Sequence, residues 1–233
     1  MIRFDNVSKS FRLRGEKKLV IDHLNATLPT GDSLALLGRN GAGKSTLLQM
    51  IAGAIRPDTG RITSDGTISW AVGFTGSFHR ELTGAQNVRF IARVYGVDSE
   101  ELIDFVQDFA EIGKHFYMPV KSYSSGMKAR VGFGTSMGIA FDTYLVDEAT
   151  AVGDASFKAK SKAVFRDRME RSSAILVSHE QAQIRDLCNA AVILEHGHLT
   201  YYHDVEEALE IHTAMMEGRL VMAHPEARPD GDR

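Results

Sequence analysis

The 233-residue sequence lacks several features that would assign it to a specialised class of protein. Its one cysteine, Cys188, cannot form a disulfide within the chain, so we expect a reducing cytoplasm and a packing role for this residue. No apolar run approaches the roughly 20 residues of a membrane span, and residues 1–5 begin a strand-like pattern, so we expect neither an anchor nor a signal peptide. Acidic and basic residues are interspersed at a net charge of −3, which excludes a broad basic surface for nucleic acid or lipid.

Apolar residues make up 43% of the chain, enough for one substantial α/β domain with a proper core. The patterning predicts early strands, then a helical insertion of about fifty residues, then alternating strands and helices that indicate a parallel sheet. We predict early strands at 2–7 and 20–28, separated by a surface turn at 12–18, and a hairpin at 60–70 that turns at Asp65-Gly66. The predicted helices are 46–55, 87–95, 99–112, 124–139, 155–171, 181–189 and 205–216, and the later strands are 144–146, 173–177, 190–194 and 199–202, the last two forming a closing hairpin.

A glycine-rich segment between an apolar run at 33–37 and the helix-like run at 46–55 predicts a phosphate-binding loop. It reads Gly38-Arg39-Asn40-Gly41-Ala42-Gly43-Lys44-Ser45 and fits G-x-x-x-x-G-K-[ST]. Glycines let successive backbone N–H groups turn around a polyanion, and the following helix, with Thr46 in its first turn, adds its positive dipole end. Lys44 then reaches the β- and γ-phosphates and Ser45 ligates Mg²⁺. The alternative is a glycine-rich turn with an incidental lysine.

Two carboxylates end the apolar strand at 144–146. Downstream of a phosphate-binding loop, Asp147 suits the magnesium shell, through a water, and Glu148 suits polarisation of the attacking water. The alternative is a strand that merely ends in acidic residues. After the strand at 173–177, His179 is expected at the carboxyl edge of the sheet, where it would contact a γ-phosphate, although an isolated histidine is more often structural.

A second candidate anion site is the helix start Tyr123-Ser124-Ser125-Gly126-Met127. One loop already binds the nucleotide, so a second site on the same chain is most simply explained if it serves the nucleotide of another subunit. This interpretation implies a dimer with ATP held between two chains. The alternative is an ordinary serine cap.

In this order the motifs resemble those of the nucleotide-binding subunits of ABC transporters, over residues 1–217. The resemblance implies a P-loop NTPase fold: an α/β RecA-like core, an antiparallel β subdomain and a helical signature subdomain at about 84–140, followed by a flexible tail at 218–233. It identifies 38–45 as Walker A, 145–147 as Walker B, Glu148 as the catalytic carboxylate and His179 as the switch histidine. It further identifies Ser124, Ser125 and Gly126 as the signature contacting the partner's ATP, Asp154 as the acidic member of the D-loop at 151–154, and Phe11 as the adenine-stacking aromatic. The ATP-binding residues it implies are Phe11, Gly38, Asn40, Gly41, Ala42, Gly43, Lys44, Ser45 and Thr46.

Two departures from the family pattern stand out. The signature lacks the usual second glycine and glutamine, but it keeps the serine and glycine that touch phosphate, so we expect that contact to survive. The Q-loop has Phe74 where the family's magnesium-contacting glutamine is expected. Ser77 and His79 are candidate substitutes, whereas Gln86 is assigned to the next helix.

The aromatic stretch at 68–84 has two interpretations: a socket for a partner helix, or buried aromatics that join two subdomains. Together with the motifs, it looks like the ATPases that export capsular polysaccharide from Gram-negative bacteria; teichoic-acid and O-antigen exporters share much of the pattern. Some O-antigen exporters add a carbohydrate-binding domain, for which we expect no room after Gly218.

The resemblance implies a homodimer with bound ATP and Mg²⁺, docked on two permease subunits at the cytoplasmic face of the inner membrane and working with periplasmic or outer-membrane export components. Alternatives are an ABC ATPase for another cargo, such as O-antigen, teichoic acid, lipid or drug, and a soluble ABC-type ATPase acting on nucleic acid or ribosomes. The second alternative usually needs a coiled coil, a tandem cassette or a basic face, and the sequence shows none. A kinase or GTPase is disfavoured because no guanine-reading N-K-x-D element is recognisable.

Overall fold

The computed structural model describes residues 1–13, 16–29, 31–73, 75–76, 78–147 and 155–219. The strands are β1 (Ile2–Leu13), β2 (Glu16–Leu28), β3 (Leu34–Leu37), β4 (Thr59–Ser64), β5 (Ile68–Ala71), β6 (Thr143–Asp147), β7 (Ser173–Val177), β8 (Ala190–Glu195) and β9 (His198–Tyr202). The α-helices are α1 (Lys44–Ile51), α2 (Gly84–Tyr95), α3 (Ser99–Ala110), α4 (Ser125–Gly138), α5 (Ala155–Met169), α6 (Gln181–Leu187) and α7 (Val205–Met216).

The first sheet is antiparallel and has the order β2-β1-β4. Its first two strands are longer than predicted, because β1 continues to Leu13 and β2 begins at Glu16. Phe11 lies opposite Lys18 in this ladder. The predicted surface turn at 12–18 is therefore mostly strand, and the two residues between the strands, Arg14 and Gly15, lie outside the described residues.

The predicted hairpin at 60–70 is wrong. β4 pairs with β1 in the first sheet, whereas β5 pairs in parallel with β6 in the second, so the Asp65-Gly66 turn carries the chain from one sheet to the other. The start of β5 is fixed by Asp142, whose Oδ2 accepts hydrogen bonds from both the backbone N–H and the hydroxyl of Thr67, each at 2.7 Å. Although a suitable turn lies between them, β4 and β5 thus pair with other strands and not with each other.

The second sheet has the order β5-β6-β7-β3-β8-β9. All of its pairings are parallel except that of β8 with β9, which form the predicted closing hairpin around His196-Gly197. β3 and β7 are buried along their whole length, as expected of parallel strands covered on both faces. The carboxyl ends of β6, β7 and β3 consequently meet at one edge of the sheet.

Helices α2, α3 and α4 form the predicted helical insertion between β5 and β6. The N-cap of α3 is Asp98, whose Oδ1 accepts from the N–H groups of Glu100 and Glu101 at 2.9 Å. α4 packs closely because it carries glycines at its contacts. A Cβ atom would lie 2.5 Å from Thr75 at Gly132, 2.9 Å from Phe109 at Gly134 and 2.4 Å from Leu102 at Gly138.

An aromatic cluster joins the helical insertion to the second sheet. Trp70 on β5 lies 5.0 Å from Tyr95 on α2 and 5.5 Å from Phe141, which precedes β6; Tyr95 and Phe141 are 5.4 Å apart, all measured between ring centroids. These contacts favour the interpretation of the 68–84 aromatics as a joint between subdomains. Phe74 and Ser77 lie outside the described residues.

The remaining helices flank the second sheet. Cys188 directly follows α6, not within a helix as predicted, and it is buried, which raises the pKa of its thiol to about 12 and suits a packing role. Within the described ranges, no helix is both long and apolar enough to cross a membrane.

Candidate nucleotide site

The loop after β3 requires glycine at its turning points. Gly38, Gly41 and Gly43 have positive φ angles of 145°, 80° and 107°, which side chains of L-residues rarely allow. At Gly38 a Cβ atom would lie 2.4 Å from the carbonyl oxygen of Leu194, and at Gly43 it would lie 2.5 Å from Val20. The loop is thus pressed against neighbouring strands and has room only for backbone at these points.

Helix α1 begins at Lys44, two residues before the predicted start, and its N-cap is Gly43, which offers no side-chain acceptor. The amide groups of its first turn and the positive end of its dipole therefore face the loop without a capping side chain. The Lys44 ammonium lies back over the same loop, donating to the carbonyl of Gly38 at 2.7 Å and to that of Arg39 at 3.3 Å. Amides and an ammonium that converge on one concavity suit a polyphosphate.

A cleft of about 330 Å³ lies beside this loop and joins three parts of the chain. From the predicted site it brings together Phe11, Asn40, Gly41, Gly43, Lys44, Ser45, Thr46 and His179. Gly38 directly follows β3 and is not among the residues that line this cleft, and Ala42 lines a neighbouring cleft. Phe11 is 38% exposed on the cleft wall, and the Lys9 ammonium lies over its ring, 5.6 Å from the centroid.

Sequence reasoning missed three residues of this cleft: Lys18, Val20 and Val177. The signal for Lys18 and Val20 was the strand pairing, because Lys18 lies opposite Phe11 across the β1–β2 ladder. Had the strands been extended toward their turn, this wall of the cleft would have followed from the register.

The predicted magnesium-shell carboxylate and the predicted switch histidine follow adjacent parallel strands, and only the histidine lines the cleft. Asp147 ends β6 and pairs with Val177, the last residue of β7, so His179 follows two residues beyond the neighbour of Asp147. The turn that presents His179 is held by Ser178, whose hydroxyl donates to Gln183 at 2.8 Å and accepts from the N–H of Glu180 at 3.0 Å. Glu148 and Asp154 lie outside the described residues, so their roles stay predictions.

A magnesium site on this chain would draw on the hydroxyl of exposed Ser45 and the carboxylate of half-buried Asp147. Both are oxygen ligands, which Mg²⁺ prefers, and this ion usually takes few protein ligands and completes its shell with phosphates and water. The described residues contain no cluster of three or more His, Cys, Asp or Glu side chains that could form an all-protein site. The donor set therefore fits magnesium that is held jointly with a nucleotide.

The predicted signature starts α4 and stands apart from the cleft within one chain. Ser124 is the N-cap, accepting from the N–H of Met127 at 3.2 Å, so the capping interpretation describes this side chain. Its neighbour Tyr123 is buried and fixes the segment, since its hydroxyl accepts from the N–H of Gly84 and donates to the carbonyl of Phe116, each at 3.1 Å. Ser125 is exposed and Gly126 half-exposed, and neither lines the cleft.

The candidate substitutes in the Q-loop have local partners. The N–H of His79 donates to Asn87 at 2.7 Å, and its ring Nδ1 accepts from the N–H of Glu81 at 3.3 Å. Gln86 belongs to α2 as predicted, and its role there is structural, because it forms a capping box with Thr83.

Comparison with known proteins agrees with this geometry. The ABC transporter family matches residues 21–151. The chain is 47% identical to the polysialic acid transport ATP-binding protein KpsT of Escherichia coli, over 90% of this chain and 95% of that protein. It is 41% identical to the capsule polysaccharide export ATP-binding protein CtrD of Neisseria meningitidis serogroup B, over 92% and 100%. The O-antigen export system ATP-binding protein RfbB of Klebsiella pneumoniae is 35% identical, over 88% and 85%.

Solved structures show the same fold at low identity. The ATP-binding subunit of an ABC transporter superposes with a TM-score of 0.73 at 20% identity, covering 94% of this chain and 93% of that one. A dimeric ATP-binding cassette in a post-hydrolysis state, bound to ADP and Pi, gives a TM-score of 0.68 at 18% identity, covering 85% and 96%. With a matching family profile, relatives aligned along nearly the whole chain and a shared fold, this protein belongs to the ABC transporter family.

Proposed function

We propose that this chain is the ATP-hydrolysing subunit of an ABC exporter that moves capsular polysaccharide across the inner membrane through a separate permease. The observation that carries the ATPase assignment is the cleft that joins the phosphate-binding loop, Phe11 and His179. The cargo is proposed from relatives, because those named for polysialic acid or capsule export are 41–47% identical and those named for O-antigen export are 35% identical.

In each nucleotide site, different groups of the chain have different roles. The ammonium of Lys44 and the amides of the loop bind the phosphates, and Phe11 stacks on the adenine. Ser45 and, through a water, Asp147 would hold a magnesium ion, which would supply neutralisation of the charge on the phosphate oxygens. The Glu148 carboxylate orients and polarises the attacking water, and the His179 imidazole contacts the γ-phosphate from the end of the neighbouring strand.

The second half of the pocket comes from another copy of this chain. Ser124, Ser125 and Gly126 start α4 and do not line the cleft of their own chain, which supports a contact with a nucleotide held by a partner. Asp154 is assigned to the D-loop between the two sites. ATP binding closes the dimer and hydrolysis reopens it, and permease subunits at the cytoplasmic face of the inner membrane convert this cycle into export.

The dimer is tested by size-exclusion chromatography of Glu148→Gln with ATP and Mg²⁺. We expect a stable dimer without turnover, because ATP is bound and the water is not activated. Adding Gly126→Asp should return the protein to a monomer that still binds ATP, because the new charge would face the partner's phosphates. A Cβ atom at Gly126 meets only Ser124 Oγ, at 3.9 Å, so this change leaves room for folding.

Adding Lys44→Ala instead should give a monomer that has lost ATP affinity by calorimetry. The two second substitutions therefore separate binding within a chain from binding between chains. A Glu148→Gln protein that hydrolyses ATP normally, or a Gly126→Asp derivative that still dimerises with ATP, contradicts the composite site. Copurification of a membrane subunit supports transport, and copurification of ribosomes or DNA supports the soluble alternative.

A further inference from the structure

We propose that Lys160 and Arg168 of α5 are positioning residues for the composite nucleotide site: together they fix the angle between the helical insertion, which carries the start of α4, and the second sheet. The inference rests on the proposed ATPase function and adds two residues that belong to none of the motifs.

Lys160 caps the carboxyl end of α3. Its ammonium donates to the carbonyls of Asp108 and Phe109, each at 3.1 Å. It also donates to the Glu111 carboxylate at 2.5 Å and lies 5.3 Å from the ring centroid of Phe109. The last turn of α3 contains no basic residue of its own. Because the carboxyl end of a helix carries unpaired carbonyls and partial negative charge, the cation from α5 supplies what α3 lacks.

Arg168 makes the equivalent contact with α4. Its Nε donates to the carbonyl of Met137 at 2.8 Å, next to the last residue of that helix. The last turn of α4 likewise contains no basic residue. Lys160 and Arg168 are eight residues apart, which is about 12 Å along the axis of α5. Helix α5 thus holds the carboxyl ends of two helices of the insertion at two separate points.

Aromatic packing beside these attachments completes the joint. The ring of Phe157, in the first turn of α5, lies 5.1 Å from that of Phe109, and the guanidinium of Arg130 on α4 lies 4.3 Å from its centroid. Arg130 also donates to the carbonyl of Ala110, the last residue of α3, at 3.4 Å. A single contact would let the insertion pivot on α5, whereas two attachments at separate points, with packed rings beside them, fix its angle.

This angle matters because of the two-fold symmetry of the proposed dimer. Each chain must present its own cleft and its own signature to the partner at the same time, so an error in the angle between them occurs twice in one dimer. The signature at residues 124–126 starts α4, whereas α5 begins at Ala155, directly after the predicted D-loop. Lys160 and Arg168 therefore connect the segment proposed to contact the partner's nucleotide with the segment that follows the chain's own catalytic edge.

Substitution of either cation tests this role in the Glu148→Gln background, in which dimerisation with ATP is measured by analytical ultracentrifugation. For Lys160→Met and for Arg168→Met we expect the dissociation constant of the dimer to rise about tenfold, or about threefold for each of the two joints, the modest effect of a partly exposed charge. Methionine retains a long, unbranched side chain with high helix propensity. ATP affinity, measured by calorimetry in the Gly126→Asp background, should change less than about twofold, because neither residue lines the cleft.

Two further variants separate positioning from folding. Lys162→Met is the matched control on the same helix, because the ion pair of this exposed lysine, at 2.8 Å, is with Asp186 of α6. We expect it to dimerise as the parent protein does. Lys160→Arg keeps the cation and should restore the dissociation constant to within about threefold of the parent value. A purely structural role of Lys160 would lower the melting temperature of Lys160→Met and leave the dissociation constant of its folded chains unchanged.

The joint is also observed without nucleotide, from the distance between spin labels at Lys114→Cys, which lies between α3 and α4, and Glu210→Cys on α7. Both positions are exposed, and the native Cys188 is buried. We expect a narrow distance distribution in the parent protein and a broader one in Lys160→Met and Arg168→Met.

An unchanged distance distribution, or a dimer dissociation constant equal to that of the Lys162→Met control, would overturn the inference. A loss of ATP affinity as large as the loss of dimerisation would also overturn it, since the effect would then lie in the cleft. Failure of the proposed function itself looks different, because Glu148→Gln alone would then form no dimer with ATP, whatever the spin labels report.

Discussion

Single residues set the shape of the phosphate-binding loop before any ligand arrives. Gly38 has no space for a side chain, because the Leu194 carbonyl lies 2.4 Å from the position of a Cβ atom. A carbonyl oxygen of the backbone cannot move aside as a flexible side chain can. Close packing against β8 therefore requires glycine at position 38, in addition to the requirement set by its positive φ angle.

Gly38→Ala should weaken ATP binding by at least about tenfold, since the loop must shift away from β8 and its amides then diverge. Gly53→Ala is the control: Gly53 also has a positive φ, of 70°, but nothing lies within 4 Å of a Cβ atom there. We expect the control to cost about 1–2 kcal/mol of stability and to bind ATP normally. Calorimetric titration with ATP and thermal unfolding of both variants make the comparison, and equal affinity in the two would contradict the packing account.

The sequence predicted those residues of the candidate site that belong to a recognisable local motif. Lys44, Ser45 and Asp147 belong to such motifs, and the structure places Lys44 and Ser45 at the cleft. Lys18 belongs to none, because its proximity to the loop depends on the register of β1 against β2.

At the scale of elements, α2 depends on its capping box. The hydroxyl of Thr83 accepts from the N–H of Gln86 at 3.1 Å, and the Gln86 side chain accepts from the N–H of Thr83 at 2.9 Å. Thr83→Ala should lower the free energy of unfolding by about 1 kcal/mol. In a double-mutant cycle with Gln86→Ala, the second substitution should cost less than it does alone. If the losses of unfolding free energy caused by the two substitutions are strictly additive in urea unfolding, the capping box does not act as a unit.

The start of β5 gives a pH-dependent prediction. The hydroxyl and then the N–H of Thr67 donate to the Asp142 carboxylate and lower its pKa below the usual 3.8. A carboxylate with a depressed folded-state pKa adds stability above its unfolded-state pKa, and this contribution is lost as the pH falls through the folded-state value. Between about pH 5 and about pH 3, the wild-type free energy of unfolding should therefore fall more steeply than that of Asp142→Asn. Parallel slopes in urea titrations at these pH values would refute this linkage.

The same contact explains why the predicted hairpin at 60–70 was wrong. The local signal, two short polar-apolar alternations around Asp65-Gly66, is typical of a hairpin. The competing partners are distant in sequence: β1 for one strand, and β6 with Asp142 for the other. The residues of a turn carry no information about strand pairing between segments that are far apart in sequence. The helices were predicted well because the apolar periodicity that identifies a helix lies within the helix itself.

At the scale of the whole molecule, the aromatic cluster of Trp70, Tyr95 and Phe141 joins the helical insertion to the parallel sheet. Tyr95→Ala should lower the free energy of unfolding by about 1–2 kcal/mol, because two aromatic contacts across the joint are lost. Phe90→Ala on the same helix, where the ring is 61% exposed, should stay within about 0.5 kcal/mol of wild type. Trp70 is the only tryptophan, so its fluorescence reports the joint directly. Equal losses of unfolding free energy in Tyr95→Ala and Phe90→Ala would attribute the effect to helix α2 itself and not to the aromatic contacts.

The glycines of α4 have a mechanical consequence. At Gly132, Gly134 and Gly138 the helix backbone lies against its neighbours without an intervening side chain, and the last two contacts are to Phe109 and Leu102 of α3. Surfaces that interlock so closely resist sliding. A displacement imposed at Ser124 should therefore rotate α3 and α4 together as a rigid body. Movement caused by a nucleotide at one end of α4 should then reach the outer face of the insertion with its full amplitude.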